Sequence, residues 1–317
     1  MNVKRIILIL LSFFPIAIGA SAQAPDTVKA GAYIISVHDI NFHEKEYTIR
    51  FWLWFLYDNK DFDFSKQLDI PNAKSIDPPE IIVDSLDGKT WVMMKMKCTM
   101  KENWEVSDFP FDSQHLNVQI ENTLFDKNTL VFNPDIAGSR YGEKIAIDGW
   151  TIRNFSVSSK LSEYETGFGD YRLPAQHTEF ATFNIDMDID REQWGLFTKI
   201  FVGMYIAFLI AILSFTPHPW EFEPRFGLPV GGLFAAVGNK YIIDSLLPES
   251  SHFSLVDILH TLTFLGILAT LLVSAIALRL YDKGKKEECI RVNVRGAIIV
   301  ITLYVLANIL FITLAIT

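Results

Sequence analysis

Short apolar runs separated by turn signals fill residues 23–193, and this pattern is typical of strands. Residues 115–120 alternate polar and apolar side chains at every position, as a strand with one buried face does. Many short strands with regular turns predict an all-β, immunoglobulin-like sandwich. The other predicted strands, rich in β-branched and aromatic residues, cover 47–56, 81–84, 91–97, 151–157 and 180–189.

Long apolar segments dominate residues 194–317. They predict four helices, each long enough to cross the roughly 30 Å of hydrocarbon in a bilayer. The whole chain is therefore expected to be an all-β domain followed by an all-α, four-helix transmembrane domain. The expected bounds of the helices are about 194–215, 225–247, 253–280 and 296–316.

The second of these segments differs from the others because it carries polar and small residues. It contains Lys240, Asp244, Pro229 and four glycines. Such a helix fits a place that neighbouring helices shelter from lipid and that borders a water-filled space. A re-entrant or interfacial segment is the alternative that the pattern leaves open.

The first 22 residues have the three parts of a secretory signal peptide. Lys4 and Arg5 precede an apolar run over 6–18, and small residues at 20–22 provide a cleavage site. A first membrane helix is the alternative, although the run is short for a crossing. We expect this signal peptide to be removed and the β-domain, 23–193, to lie outside the cytoplasm.

The distribution of charged residues also divides the chain into a first part, 23–193, and a second part, 194–317. Residues 23–193 hold 17 basic and 29 acidic residues, a net charge of −12, whereas residues 194–317 hold 9 and 8. No basic stripe is available to neutralise phosphates, which argues against a nucleic-acid partner. The positive-inside rule places the basic loop between the third and fourth segments in the cytoplasm, and hence the C-terminus outside. The basic residues of this loop and its borders are Arg279, Lys283, Lys285, Lys286, Arg291 and Arg295.

Motifs that carry enzyme chemistry are absent from the sequence. It contains no nucleophile elbow, zinc signature or P-loop. Cys98 and Cys289 fall in different parts of the chain and cannot form a disulfide framework, and burial is expected for Cys98. We therefore expect neither an enzymatic activity nor a cofactor, with calcium considered only as a modulator.

Several short motifs occur in the order found in the Cys-loop receptors, the pentameric ligand-gated ion channels. Residues 109–114 (Phe-Pro-Phe-Asp-Ser-Gln) resemble the centre of that family's signature loop. Residues 148–150 (Asp-Gly-Trp) are similar to the opening of a late strand, and Arg191 stands where the family keeps a basic residue before the first helix. Residues 225–228 and 247–248 resemble the two ends of the second helix. The flanking cysteines of the loop are missing, as in the bacterial branch.

The resemblance implies a homopentamer in a bacterial inner membrane, in contact with lipid. Each subunit would supply a ten-strand sandwich and one pore-lining second helix, and an external small molecule, proton or divalent cation would open the pore to ions. The signature loop would couple the two domains by touching the loop after the second helix. Asp112 is expected to pair with Arg191, to cap its own turn, or both. The implied coupling residues are Phe109, Pro110, Phe111, Asp112, Arg191 and Pro248.

A helix beside a pore presents every third or fourth residue to it. In the register that the resemblance gives, five copies of Phe234 would form a bulky apolar ring, and such a constriction blocks ions by dewetting. We expect Phe234 to be the gate, with packing of Phe234 between helices as the alternative. The implied pore-lining residues are Gly227, Gly231, Phe234, Gly238, Tyr241 and Ser245.

Charges near the ends of the second helix are expected to set the ion selectivity. Rings of Glu223 and Asp244, together with the acidic outer domain, favour cations. Arg225 after a proline resembles the anion-selective relatives, unless its side chain points behind the pore and pairs with Glu221 or Glu223. We expect a cation channel; an anion channel and a non-conducting, membrane-anchored sensor are the alternatives.

Agonists of the family bind under a hairpin near the last two strands, and residues 161–172 match that hairpin. Its aromatic rings would surround a cationic amine, whereas its carboxylates would bind calcium. Two tryptophans share one face of an earlier strand, which is either a contribution to the site or part of the core. A solvated loop is the remaining alternative. The ligand candidates are Trp52, Trp54, Tyr164, Phe168 and Tyr171, and the metal candidates are Glu163, Glu165 and Asp170.

Overall fold

The computed structural model describes residues 24–143, 145–169, 171, 177–248 and 253–316. The predicted signal peptide lies outside these residues. Within them, eleven strands in two sheets precede four long helices. The expected fold class, a β-sandwich followed by four helices of membrane-crossing length, is confirmed.

The strands account for most of the first domain, and a single helical turn, Phe64–Gln67, interrupts them. The first six are β1 (Asp26–Asn41), β2 (Glu46–Tyr57), β3 (Leu68–Asp69), β4 (Ala73–Ile76), β5 (Glu80–Leu86) and β6 (Lys89–Lys101). The other five are β7 (Ser113–Asn122), β8 (Leu130–Pro134), β9 (Arg140–Tyr141), β10 (Trp150–Tyr164) and β11 (Thr178–Arg191).

Two sheets enclose the core of this domain. One has the strand order β4–β6–β2–β1–β8, with β5 beside β6 and β9 beside β1, and the other has the order β10–β11–β7–β3. Alternation along β2 buries Phe51, Leu53 and Phe55, while Trp52 and Trp54 point to the outer face and are only partly buried. The suggestion that the two tryptophans lie in the core is therefore wrong, because the period of two residues gives the core to their neighbours.

The four long helices are α1 (Gln193–Ile212), α2 (Phe222–Asp244), α3 (Leu255–Asp282) and α4 (Lys286–Ile316). A short 3-10 turn, Leu213–Phe215, extends α1. All four are long and apolar enough to cross a membrane. Because α2 is one continuous helix of 23 residues, it has the length of a full crossing rather than of a re-entrant segment.

The fourth helix begins at Lys286, well before the expected start at 296. The sequence prediction took only the uncharged stretch that a bilayer requires. Glu287 and Glu288 occupy the first turn, where carboxylates stabilise the positive end of the helix dipole. The helix therefore continues beyond the apolar segment into a charged one.

Both cysteines are buried and unpaired, Cys98 in the sandwich and Cys289 in α4. Burial raises the pKa of the Cys98 thiol to about 12. Since the thiolate is the reactive form, Cys98 is chemically inert in the folded domain.

Candidate functional site

Every predicted pore-lining residue of α2 is exposed in the single chain. The ring of Phe234 is 72% exposed and stands away from the other helices of its own chain. The opposite face is buried against α1 and α3, so the helix has one fixed face and one open face. The open positions are Gly227, Gly231, Phe234, Gly238, Tyr241 and Ser245. The buried positions are Arg225, Pro229, Gly232, Ala236 and Ile243.

Two adjacent glycines mark the boundary between these faces. A Cβ atom built on Gly231 meets nothing within 4 Å, whereas one built on Gly232 would lie 2.6 Å from the carbonyl oxygen of Ala207. The backbones of α1 and α2 therefore touch at Gly232, and only glycine allows this approach.

We expect Gly232→Ala to force α1 and α2 apart and to destabilise the protein by about 1–3 kcal/mol, the usual cost of overpacking. Gly231→Ala is the matched control, since it adds the same methyl group to open space. It should be neutral or stabilising, because alanine favours a helix over glycine by about 1 kcal/mol. Thermal unfolding of both variants in detergent measures the difference, and equal melting temperatures would contradict the close packing at Gly232.

The predicted selectivity residues at the start of α2 have different surroundings. Glu223 is exposed in the first turn. Arg225 is only 1% exposed, and its guanidinium donates a hydrogen bond of 3.1 Å to Ser274 Oγ on α3 and lies 5.8 Å from the centre of the Phe215 ring. Arg225 thus points into the helix bundle, away from the open face.

The expected ion pair between Arg225 and Glu221 or Glu223 is wrong. Nε and Nη1 of Arg225 have no hydrogen-bond partner among the described residues. The physical reason is direction: the arginine leaves α2 toward α3, whereas both carboxylates lie on the exposed side of the helix start. In the single chain, Glu223 is therefore exposed at the start of α2, whereas the guanidinium of Arg225 is not.

The third selectivity residue, Asp244, belongs to a charged network at the other end of α2. Asp244 pairs with Lys240 one turn earlier, and Lys240 Nζ also lies 2.8 Å from Asp257 Oδ1 on α3. Asp257 in turn forms the capping box with Ser254 that begins α3. This network ties the end of α2 to the start of α3.

A buried histidine on α3 adds a second connection that sequence reasoning did not assign. His260 Nδ1 lies 2.8 Å from the carbonyl oxygen of Val256, and Nε2 lies 3.1 Å from Asn239 Oδ1 on α2. The amide nitrogen of Asn239 donates to the carbonyl of Ile200 on α1 over 3.2 Å. The contact therefore joins three helices at one level of the bundle.

Asp112 and Arg191 form a buried, bidentate ion pair at the base of the sandwich. Nε donates to Asp112 Oδ1 over 2.6 Å and Nη2 donates to Oδ2 over 2.9 Å. The guanidinium carbon is 4.0 Å from the centre of the Trp150 ring, 4.7 Å from that of Phe42 and 4.8 Å from that of Phe109. The arginine is thus held by one carboxylate and three aromatic rings, a geometry that suits its planar, weakly hydrated head.

The signature loop also touches the membrane helices directly. The Phe111 ring lies 5.5 Å from the rings of Trp194 and Phe197 on α1, measured between centroids. The carbonyl oxygen of Ser107 accepts a hydrogen bond of 2.8 Å from the backbone N–H of Leu255 at the start of α3. These contacts connect the sandwich to both α1 and α3.

The two prolines of the predicted coupling set belong to different domains. Pro110 follows a cis peptide bond with Phe109 in the signature loop. Pro248 comes shortly after α2 and is buried. Residues 249–252, which complete the loop after Pro248, lie outside the described residues.

The hairpin between β10 and β11 carries an aromatic cluster that differs from the predicted one. Tyr164 lies 5.7 Å from Phe168 and from Phe180, and Phe168 lies 6.3 Å from Phe180. Tyr171 is 92% exposed and does not join them. Phe180 therefore occupies the place in the cluster that sequence analysis gave to Tyr171. It lies on the returning strand, diagonally across from Tyr164, whose direct partner is Thr178, and diagonal neighbours are within reach of aromatic side chains.

A buried carboxylate lies beside this cluster. Glu121 accepts a hydrogen bond of 2.9 Å from the Tyr164 hydroxyl and one of 2.7 Å from the Thr182 hydroxyl. Burial, and then the hydrogen bond to Glu121, raise the pKa of Tyr164 to about 12. The cluster thus combines ring faces with a negative charge, both of which attract a cation.

The metal and tryptophan candidates are not gathered at this cluster. Glu163 lies 3.2 Å from His177, Glu165 is exposed, and Asp170 lies outside the described residues. Nowhere in the described part of the chain do three Asp, Glu, His or Cys side chains form a group suited to a metal ion. Trp52 and Trp54 lie on the other sheet, so a single chain does not bring them to the hairpin.

The architecture defines the class of protein. A β-sandwich joined through a Phe-Pro-Phe-Asp loop to four membrane-crossing helices is what the sequence resemblance implied. No family model matches the sequence. The chain is similar to a proton-gated ion channel of Gloeobacter violaceus, with 18% identity over 254 residues, which cover 73% of this chain and 67% of that protein.

These findings confirm the resemblance to the bacterial pentameric ligand-gated ion channels. The chain is a multi-pass membrane protein, with four candidate spans in the described residues. Its relative is an ion channel and not an enzyme, in agreement with the expectation for this chain.

Proposed function

We propose that five copies of the chain form a gated ion channel whose pore is lined by the open face of α2. The observation that carries the proposal is the two-faced environment of this helix: three of its glycines and Phe234 are open, while Arg225 and Ala236 are buried within the chain. A helix bordered by lipid alone would not need a face of small residues beside Tyr241 and Ser245. In a ring of five, this face borders water.

The gate in this proposal is a ring of Phe234 side chains. Gly231 precedes Phe234 on the open face and Gly238 follows it, and a Cβ atom at either glycine would meet nothing within 4 Å. The pore is therefore wide above and below the phenyl rings and narrow at them. An apolar constriction of that kind excludes water, and with it hydrated ions, without any plug.

Cation selectivity is supported by the direction of the charged side chains. Glu223 lies at the open side of α2, whereas the guanidinium of Arg225 is buried against Ser274. A ring of five carboxylates attracts cations, and an arginine ring would be needed to attract anions. The outer domain carries a net charge of −12 per chain and would concentrate cations further.

Extracellular protons are the proposed activating ligand. The similar channel of Gloeobacter violaceus is proton-gated, and the outer domain contains histidines whose ring nitrogens contact carboxylates. The aromatic cluster at the hairpin, with Glu121 beside it, is suited to organic cations as additional ligands. The proposed topology has the sandwich and the C-terminus outside and the basic α3–α4 loop in the cytoplasm.

Recording from the full-length protein in planar bilayers, under a gradient of potassium chloride and over a range of external pH, tests these proposals. We expect currents at acid pH with a reversal potential close to that of potassium. Glu223→Gln should move the reversal potential toward zero, because it removes the carboxylate ring. Glu287→Gln, an equal loss of charge at the exposed start of α4, should leave it unchanged. A reversal potential close to that of chloride would overturn the proposed selectivity.

A further inference from the structure

His115 on β7 lies between two carboxylates of β11. The cross-strand register places it directly opposite Asp188. Nδ1 of His115 lies 2.7 Å from Asp188 Oδ1, and Nε2 lies 3.2 Å from Asp186 Oδ1. The histidine side chain is 58% exposed, so protons from the surrounding water reach it.

Both ring nitrogens of His115 therefore face acceptors. A neutral imidazole donates from one nitrogen only, and the other nitrogen would oppose a carboxylate oxygen with its lone pair. The imidazolium form donates to Asp186 and Asp188 at the same time. These hydrogen bonds, first of all the one to Asp188, raise the pKa of His115, while His115 lowers the pKa of Asp188.

The other polar groups around Asp186 and Asp188 are of two kinds. Some are neutral, and one is a cation, Arg153, that contacts a different aspartate. Asn117 Nδ2 donates to Asp186 over 2.7 Å and Asn154 Nδ2 donates to Asp188 over 3.2 Å. Arg153 of β10 lies 3.3 Å from Asp190, the next outward-facing residue of β11. When His115 is neutral, Asp186 and Asp188 lie on one face of the strand without a cation between them, and Arg153, which pairs with Asp190, offsets their repulsion only in part.

Positively and negatively charged residues from the segments next to β7 also lie near His115. A surface cavity of about 400 Å³ opens beside His115, with Lys45 from the β1–β2 turn on its wall. Lys101 and Glu102, at the end of β6 and just beyond it, also line this cavity. Burial raises the pKa of Glu102, whose charge acts on the histidine in the same direction as that of the aspartates. The two lysines oppose protonation, and the direct carboxylate contacts outweigh them.

We propose that His115, Asp186 and Asp188 form a proton-binding site that controls conduction by clamping β7 to β11. The proposal rests on the proposed function as a proton-activated channel. It names a site in the outer domain, on the outward face of the four-stranded sheet, away from the hairpin cluster and the pore. The ligand is the proton, and the imidazolium is its bound form.

The position of the site in the strand pair explains how it acts on the pore. Ser113 and Asp190 are the next outward-facing cross-strand partners after His115 and Asp188. The ion pair of Asp112, the residue just before β7, and Arg191, the last residue of β11, follows at once. α1 begins two residues after Arg191. Tighter pairing of β7 with β11 therefore acts on a segment that leads directly into the first membrane helix.

The direction of the pH dependence follows from the raised pKa of His115. The clamp is complete below the ordinary pKa of histidine, and it is lost as the pH rises through the raised value. A proton can shift the channel toward one conformation only if the two carboxylates lie closer to His115 in that conformation. The clamped geometry is therefore assigned to the activated arrangement of the two strands.

Proton concentration–response curves of the full-length channel test the site. His115→Gln should require about tenfold more protons for half-activation, in the middle of the usual range for coupled sites. Asp188→Asn should act in the same direction. His115→Arg, which carries a permanent charge between the carboxylates, should open the channel near neutral pH. His43→Gln is the control, because His43 is exposed and has no ion pair in the described part of the chain.

The outcomes separate this site from the proposed function. If the wild type conducts in response to protons and His115→Gln leaves the curve unchanged, the site is wrong and the function stands. If His115→Arg responds like His115→Gln, charge at this position is not what activates the channel and the clamp is wrong. A wild type that conducts without regard to pH, or not at all, would instead refute the proposed function. Surface labelling of each variant confirms that equal amounts reach the membrane.

Discussion

Replacing Phe234 by alanine is expected to leave the channel partly open at neutral pH. The ring at this position is 72% exposed in the single chain, and it is flanked on the open face of α2 by Gly231 and Gly238. In the proposed pentamer, removing five phenyl rings leaves a pore lined at this level by methyl groups, which is too wide to stay dry. Basal current at neutral pH should rise several-fold over that of the wild type.

Two further variants show whether this effect belongs to the constriction. Phe234→Leu keeps a bulky apolar side chain and should retain most of the closure. Val237→Ala removes apolar volume from a neighbouring exposed position outside the predicted pore-lining set and should close like the wild type. If Phe234→Ala closes as tightly as the wild type, or if Val237→Ala leaks equally, Phe234 is not the gate.

The second large effect is expected at the ion pair of Asp112 and Arg191. The side chains of Arg191 and Asp112 are only 9% and 2% exposed, and removing one member leaves the other charge without a partner in a site lined by Trp150, Phe42 and Phe109. Breaking such a pair typically costs about 3–5 kcal/mol. We expect Asp112→Asn to abolish activation and to lower the melting temperature of the purified protein.

Substituting Arg191 shows whether its positive charge is sufficient for coupling or whether its hydrogen-bond geometry is also required. Arg191→Lys keeps the positive charge but loses the bidentate hydrogen bonds and the stacking on three rings, so it should restore little of the function. Glu80→Gln is the control, because Glu80 and Lys95 form an exposed pair at 3.7 Å, and such pairs contribute little. Normal activation of Asp112→Asn, in membranes where its amount is verified, would rule out the coupling role of this pair.

The sequence predicted the elements whose apolar pattern is strong. The alternation over 115–120 corresponds to β7, and the four apolar segments correspond to α1–α4. The long first strand, β1, was missed because its buried positions include Ala30 and Ala32, which give a weak apolar signal. A bulge between Ile34 and Ser36 then interrupts its alternation.

The candidate site shows a similar limit. The register of α2 came from the family resemblance; all six positions it implied are exposed in the single chain, and so are others on this helix, such as Val230 and Val237. Contacts between segments that are distant in the chain could not be predicted from the sequence pattern. The packing of Arg225 on Ser274, and of Phe180 on Tyr164, depends on how separate elements approach each other. The aspartates at 186 and 188 alternate visibly in the sequence, but their pairing with His115 requires the register of two strands 73 residues apart.

The burial of both native cysteines makes the wild-type chain a suitable background for chemical mapping of the conduction path. Cys98 and Cys289 are enclosed in their respective domains, so a water-soluble thiol reagent has no accessible target in the folded protein. A cysteine introduced at Gly227, Gly231 or Gly238 would be the first thiol that such a reagent meets. Its rate of modification, compared between acid and neutral solution, would then report how far water penetrates from each side of the membrane.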